Sequence, residues 1–132
     1  MKHVVLGMIL GGCLLATGVA AHPPAEMALS YSHENMELRV VLRHVVDKMK
    51  KHYIKKIVIE KNAADPQTYF FHRQTTPTEF VHAVQIQANP GDVFKVKAYC
   101  SEGGDLENEY RVPSPEEPLK GDPENAPNVG NK

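Results

Sequence analysis

The sequence predicts an all-β protein, an immunoglobulin-like antiparallel β-sandwich of about seven strands. The first observation is that several short segments place apolar and polar residues at alternate positions, which is the period of a half-buried strand. The second is that turn-forming residues, such as those at 89–92 (Asn-Pro-Gly-Asp), stand between these segments. The only helical candidate, residues 47–51, is too short to be stable alone.

Six of the strands can be placed on the chain. They are predicted at residues 28–31, 36–44, 53–60, 68–71, 80–87 and 93–100. In the second of them Met36, Leu38, Val40 and Leu42 share one face, and charged residues occupy most of the other. The third has apolar residues at neighbouring positions, which predicts burial on both faces. In the last, Phe94, Val96, Ala98 and Cys100 share one face.

The composition is that of a globular protein with room for one domain. The chain has 132 residues, of which 42% are hydrophobic and 23% charged, and its net charge is −1. This balance excludes a general electrostatic attraction to nucleic acid, and no nucleic-acid-binding motif is present.

Residues 1–21 have the pattern of a secretory signal peptide. Lys2 and His3 precede an apolar run that ends in small residues, and Val19 and Ala21 fit cleavage before His22. The run is too short for a membrane span. An alternative is a lipoprotein box with Cys13 as the lipid acceptor. Either route predicts a periplasmic or secreted protein, with one domain over residues 22–112.

Cleavage after Ala21 removes Cys13 and leaves Cys100 as the one cysteine of the mature chain. A lone Cys in an oxidising compartment forms no internal disulfide, so it is an intermolecular partner, an inert buried thiol or a metal ligand. Residues 113–132 contain five of the ten prolines and few large apolar side chains, which predicts a flexible tail.

Strand parity singles out a candidate metal site. His44 continues the inward face of Leu38 and Leu42, and Cys100 lies on the inward face of the strand at 93–100. His52 comes directly before the strand at 53–60, eight residues after His44. Two imidazoles and a thiolate suit iron, copper or zinc. The alternative is a core cysteine with one hydrogen-bonded and one exposed histidine.

The same residues carry a resemblance to a known family. The segment His44-x7-His52-Tyr53-Ile54, followed by Tyr99-Cys100, resembles the iron-binding domain of the desulfoferrodoxin and superoxide reductase family. The resemblance implies an immunoglobulin-like sandwich with a mononuclear non-haem iron held by four His and one Cys. It assigns His44 and His52 to two of the imidazoles and Cys100 to the axial thiolate.

The sequence also departs from the family pattern. The family has a His three places after the Cys, where this chain has Gly103, and no His follows His82. The loop between His44 and His52 is longer than in the usual reductase. The family's first His lies in a Lys-His-x-Pro segment, to which His22-Pro23-Pro24 is the loose equivalent without the Lys.

Two functions are therefore expected. The first is an exported iron-binding redox protein that resembles superoxide reductase, with superoxide or another small oxidant as substrate and a periplasmic electron donor as partner. Whether it is an enzyme is open, and copper or zinc is an alternative to iron. The second is a non-catalytic periplasmic sandwich that binds a metal or a partner protein and keeps the fold with a degenerate metal site.

Two further features each have a functional and a simpler explanation. After cleavage, the amine and imidazole of His22 could chelate copper together with His33 or His82. The simpler explanation is that His22 is an ordinary mature terminus. A lysine cluster around His52 could attract an anion or be a solvated surface. Its members are Lys48, Lys50, Lys51, Lys55 and Lys56.

Overall fold

The computed structural model describes residues 22–115. The predicted signal peptide, with Cys13, and residues 116–132 of the predicted tail lie outside this range. The described residues form seven strands and two antiparallel sheets, as predicted for an all-β sandwich. The strands are β1 (Glu26–Ser32), β2 (Glu37–Arg43), β3 (Ile54–Lys61), β4 (Gln67–Phe70), β5 (Glu79–Gln85), β6 (Val93–Cys100) and β7 (Asp105–Arg111). Within residues 22–115 there is no helix with the length and apolar character needed to cross a membrane.

One sheet has the order β1-β2-β5 and the other the order β4-β3-β6-β7. The immunoglobulin sandwich likewise places its first, second and fifth strands in one sheet and its third, sixth and seventh in the other. In this chain β4 lies beside β3. The edges at β1 and β7 approach each other, and the Asn108 side-chain amide donates to the carbonyl of Met27 across them at 3.0 Å.

The core lies between the inner faces of the two sheets. Leu38, Val40 and Leu42 of β2 are fully buried, and so are the alternate positions of β6 from Phe94 to Cys100. The alternation in the sequence therefore predicted both inner faces. Met36 is an exception, because it lies in the β1–β2 turn with a φ of 50° and is 50% exposed.

Strand β3 corrects the expectation of burial on both faces. Ile54, Ile57 and Ile59 are all buried, whereas Val58 is only partly so. The pairing with β6 shifts register between Ile54 and Lys56. This bulge changes the parity of the strand, so that Ile54 joins Ile57 and Ile59 on the inner face despite the odd spacing.

Two segments differ from their sequence-based expectations. Strand β7 was not placed by the sequence, since only Leu106 and Tyr110 are apolar and partly buried within it. Residues 47–51 form a turn, in which the amides of Lys51 and His52 both donate to the carbonyl of Lys48 at 2.8 Å. The turn closes the loop between β2 and β3.

Candidate metal centre

The structure brings His44, His52 and Cys100 together at one end of the sandwich. One potential ligand atom from each side chain lies within 4.8 Å of the other two. The exposed fractions are 2% for His44, 7% for His52 and 0% for Cys100. This is a buried group of two imidazoles and one thiol that could hold a metal ion.

The sheets explain why the three residues meet. His44 follows the last residue of β2. Its backbone amide donates to the carbonyl of Thr78, the residue before β5, at 3.0 Å, and so extends the β2–β5 pairing. Cys100 ends β6 and lies opposite Ile54, the first residue of β3. His52 stands two residues before Ile54, so the β3–β6 pairing carries it towards Cys100.

Ser101 fastens the His52 loop to the end of β6. Its hydroxyl donates to the carbonyl of Lys51 at 2.8 Å and accepts from the amide of Tyr53 at 3.1 Å. The amide of Ser101 in turn donates to the carbonyl of Tyr53 at 2.9 Å. Because both neighbours of His52 are fixed in this way, its backbone is held beside Cys100.

His44 is held by a buried glutamine, Gln74, that no sequence pattern singles out. The Nδ1 atom of His44 lies 2.8 Å from Oε1 of Gln74, and Nε2 of Gln74 donates to the carbonyls of His44 and Thr76 at 2.7 and 2.8 Å. Gln74 is 2% exposed. It lies in the polar loop between β4 and β5, where no periodicity distinguished it from its neighbours.

His52 packs edge-on against His44, with ring centroids 4.7 Å apart. Its Nδ1 atom is 4.0 Å from the carboxylate of Glu102, which is an ion-pair distance rather than a hydrogen bond. Its Nε2 atom is buried and has no hydrogen-bond partner among the described residues. An unpartnered buried nitrogen costs about 1–3 kcal/mol, a cost that a bound metal ion would remove.

The thiol of Cys100 receives one hydrogen bond, from the amide of Glu102 at 3.4 Å. Such N–H···S bonds stabilise negative charge on sulfur and tune the properties of a bound metal. No disulfide partner is available to it within residues 22–115. Its full burial disfavours an intermolecular disulfide and is compatible with either a metal ligand or an inert buried thiol.

The β6–β7 turn contains two glycines with positive φ, one of them Gly103. The Cys100 amide donates to the carbonyl of Gly104 at 3.0 Å, which closes a tight hairpin. Gly103 has a φ of 106° and Gly104 a φ of 82°. L-residues rarely adopt this conformation, so the position that carries His in the resembling family is part of a glycine turn here.

His22 lies at the mouth of the site, beside the group of three. Its ring centroid is 6.0 Å from that of His52, and its carbonyl oxygen is 3.3 Å from Nε2 of His44. Pro23 packs against Gly104, where an added Cβ would come within 3.0 Å of the proline ring. The amide of Ala25 donates to the carbonyl of Arg43 at 2.8 Å, which fixes the segment along β2.

The partners expected for His22 are placed elsewhere. His33 packs against Tyr31 and its Nε2 atom bonds the carbonyl of Pro113 at 2.8 Å. His82 packs between Tyr69 and Phe71, and burial lowers its pKa. Neither residue lines the pocket with His22, which instead adjoins His44 and His52.

An open pocket of about 430 Å³ leads from solvent to this site. Its walls include His22, Arg43, His44, Asp47 and His52. Of the predicted lysine cluster, Lys56 stands over the ring of Tyr99, with its Nζ atom 4.1 Å from the centroid. The other four lysines are exposed.

No protein-family model, curated protein or solved structure matches the chain. The class of the protein therefore follows from the fold and the site. It is a seven-stranded β-sandwich with a buried His-His-Cys group that could hold a metal ion.

Proposed function

We propose that this is an exported mononuclear metal-binding redox protein, with iron bound by His44, His52 and Cys100, that reduces superoxide or a related small oxidant. The observation that carries the proposal is the convergence of three buried donor atoms within 4.8 Å of one another. The resemblance to the superoxide reductase iron domain supplies the choice of iron and of superoxide.

The donor set fits such an ion. Imidazole suits iron, copper and zinc, and thiolate adds a soft, negatively charged ligand. The bare Nε2 of His52 has no partner among the described residues, and the sulfur of Cys100 is not engaged in a disulfide there. Bound iron would supply one-electron reduction of the oxidant.

The chain contributes access and charge to this chemistry. The pocket admits a small molecule from the side of His22 and Arg43, while the core closes the opposite side. The Arg43 guanidinium at the pocket wall would attract an anionic oxidant such as superoxide. The carboxylate of Glu26, 3.3 Å from the guanidinium, and the carboxylate of Asp47 at the pocket wall offset part of this positive charge.

Export follows from residues 1–21 as a signal peptide, with the periplasm or the outside of the cell as destination. Electrons would then come from a periplasmic donor. An oxidising compartment endangers a free thiol, and full burial of Cys100 limits its reaction with other thiols.

A second candidate is a non-catalytic module that binds copper or zinc in the same place. Three donors gather within the described part of the chain, and the glycine turn at Gly103 supplies no fourth imidazole. Zinc and copper accept three or four protein ligands, so this count favours them more than it favours iron.

The deciding experiment uses protein purified without oxygen and loaded with Fe²⁺. Stopped-flow mixing with superoxide should oxidise the ferrous protein rapidly, and Cys100→Ser or His52→Ala should abolish iron binding. His72→Ala removes an exposed loop imidazole and is the matched control, which should behave as wild type. Iron binding without rapid oxidation would overturn the reductase function, and tight binding of copper or zinc in place of iron would support the second candidate. Failure to bind any of iron, copper or zinc would overturn both.

A further inference from the structure

The orientation of the Gln74 amide can be assigned from its hydrogen bonds. Its nitrogen lies 2.7 Å from the carbonyl oxygen of His44 and 2.8 Å from that of Thr76. Both of these atoms only accept, so the group facing them must be the NH₂, which has two hydrogens to give. The oxygen of the amide therefore faces His44, and an amide oxygen only accepts.

The tautomer of His44 follows from this orientation. With Oε1 of Gln74 at 2.8 Å from Nδ1, the imidazole must carry a proton on Nδ1 and donate it. The neutral ring then has no proton on Nε2, which keeps a free lone pair. A metal ligand needs such a lone pair, and the bond made by the other ring nitrogen decides which atom has it.

A second contact supports a cation at Nε2. The carbonyl oxygen of His22 lies 3.3 Å from this nitrogen. With the proton on Nδ1, the two atoms present lone pairs to each other and form no hydrogen bond. A metal ion bound to Nε2 would make this contact favourable, because both lone pairs would then face a cation.

We propose that Gln74 is the positioning residue of the metal centre: it fixes the Nδ1–H tautomer and the ring rotation of His44, so that Nε2 is presented to the metal. This inference rests on the proposed function for its consequence, although the tautomer itself is a property of the metal-free protein. The backbone N–H of Gln74, distinct from its side-chain amide, donates to the carbonyl of Met49 at 2.9 Å. Gln74 thereby ties the β4–β5 loop to the loop that carries His52.

The test starts with metal-free protein labelled with ¹⁵N in its histidines. Long-range ¹H–¹⁵N NMR should show the Nδ1–H tautomer for His44 in the wild type. Gln74→Met removes the acceptor with little change in volume, and the Nδ1–H population should fall. Gln74→Glu keeps an acceptor for Nδ1 but loses the NH₂ group that donates to two carbonyls, so it should keep the proton on Nδ1 and lower Tm. Gln85→Met, at an exposed position of β5, is the control and should match the wild type.

The second measurement is the affinity for Zn²⁺, which is diamagnetic and redox-inert, by competition with a chromophoric chelator. Gln74→Met should weaken binding by about 10- to 100-fold, the range found when a group that orients a metal ligand is removed. A wild-type His44 with its proton on Nε2 would overturn the inference. So would a Gln74→Met variant with unchanged tautomer and affinity. If the wild type binds no metal but has the expected tautomer, the metal-site proposal fails while the orienting effect of Gln74 on His44 stands.

Discussion

Replacing Gly103 by His tests whether the fourth imidazole of the resembling family can be restored. Gly103 has a φ of 106°, and its amide closes the turn towards the carbonyl of Cys100 at 3.3 Å. Forcing an L-residue into a left-handed conformation costs about 1–2 kcal/mol. For a domain of this size each kcal/mol lowers Tm by about 4–8 °C, so Gly103→His should lower Tm by roughly 4–16 °C.

The assay is thermal unfolding of the metal-free variant, followed by its Zn²⁺ affinity. Gly103→Ala should show the same loss of Tm, because the strain belongs to the backbone and not to the imidazole. Gly91→Ala, in the turn at the other end of β6, has a φ of 91° and open space around the added Cβ. It is the control for strain remote from the site. A Gly103→His variant that unfolds at the wild-type temperature and binds Zn²⁺ more than tenfold tighter would refute this reasoning.

Three further outcomes are expected. Phe94→Ala, at a fully buried position, should reduce the free energy of unfolding in urea by about 3–5 kcal/mol, whereas Phe70→Ala, at a position 70% exposed, should change it by less than about 0.5 kcal/mol. Burial lowers the pKa of His82, so the unfolded chain binds more protons; stability should fall as pH drops below about 6.5, and His82→Phe should remove part of that fall in urea titrations at several pH values. Zn²⁺ at 100 times its dissociation constant should stabilise the wild type by about 2.7 kcal/mol and leave the thermal unfolding of Cys100→Ser unchanged.

Alternation of apolar residues was enough to predict the inner faces of β2 and β6. Because side chains alternate strictly along a strand, Leu42 and Ala98 fixed the inward direction of His44 and Cys100. The sequence alone was therefore enough to predict that His44 and Cys100 point inward. It did not show that the two residues lie at the same end of the sandwich, because that depends on the pairing of β3 with β6.

Strand β7, the bulge in β3 and the position of Gln74 could not be predicted, because no local sequence pattern marks them. Strand β7 has mainly polar residues because one of its faces is solvated, and its place comes from pairing with β6. The bulge after Ile54 breaks the period of two, which made β3 look buried on both faces. Gln74 lies in a loop without periodicity, and its importance arises from two atoms of His44 that only the fold brings to it.

The central claim is that His44, His52 and Cys100 together bind one metal ion, and metal content tests it most directly. Protein purified without oxygen and dialysed against a metal mixture should retain one ion per chain by elemental mass spectrometry. Cys100→Ser and His44→Ala should retain none, while His72→Ala retains the wild-type amount. A wild-type chain that holds no stoichiometric metal under any loading condition, or a Cys100→Ser chain that holds as much as wild type, would contradict the claim.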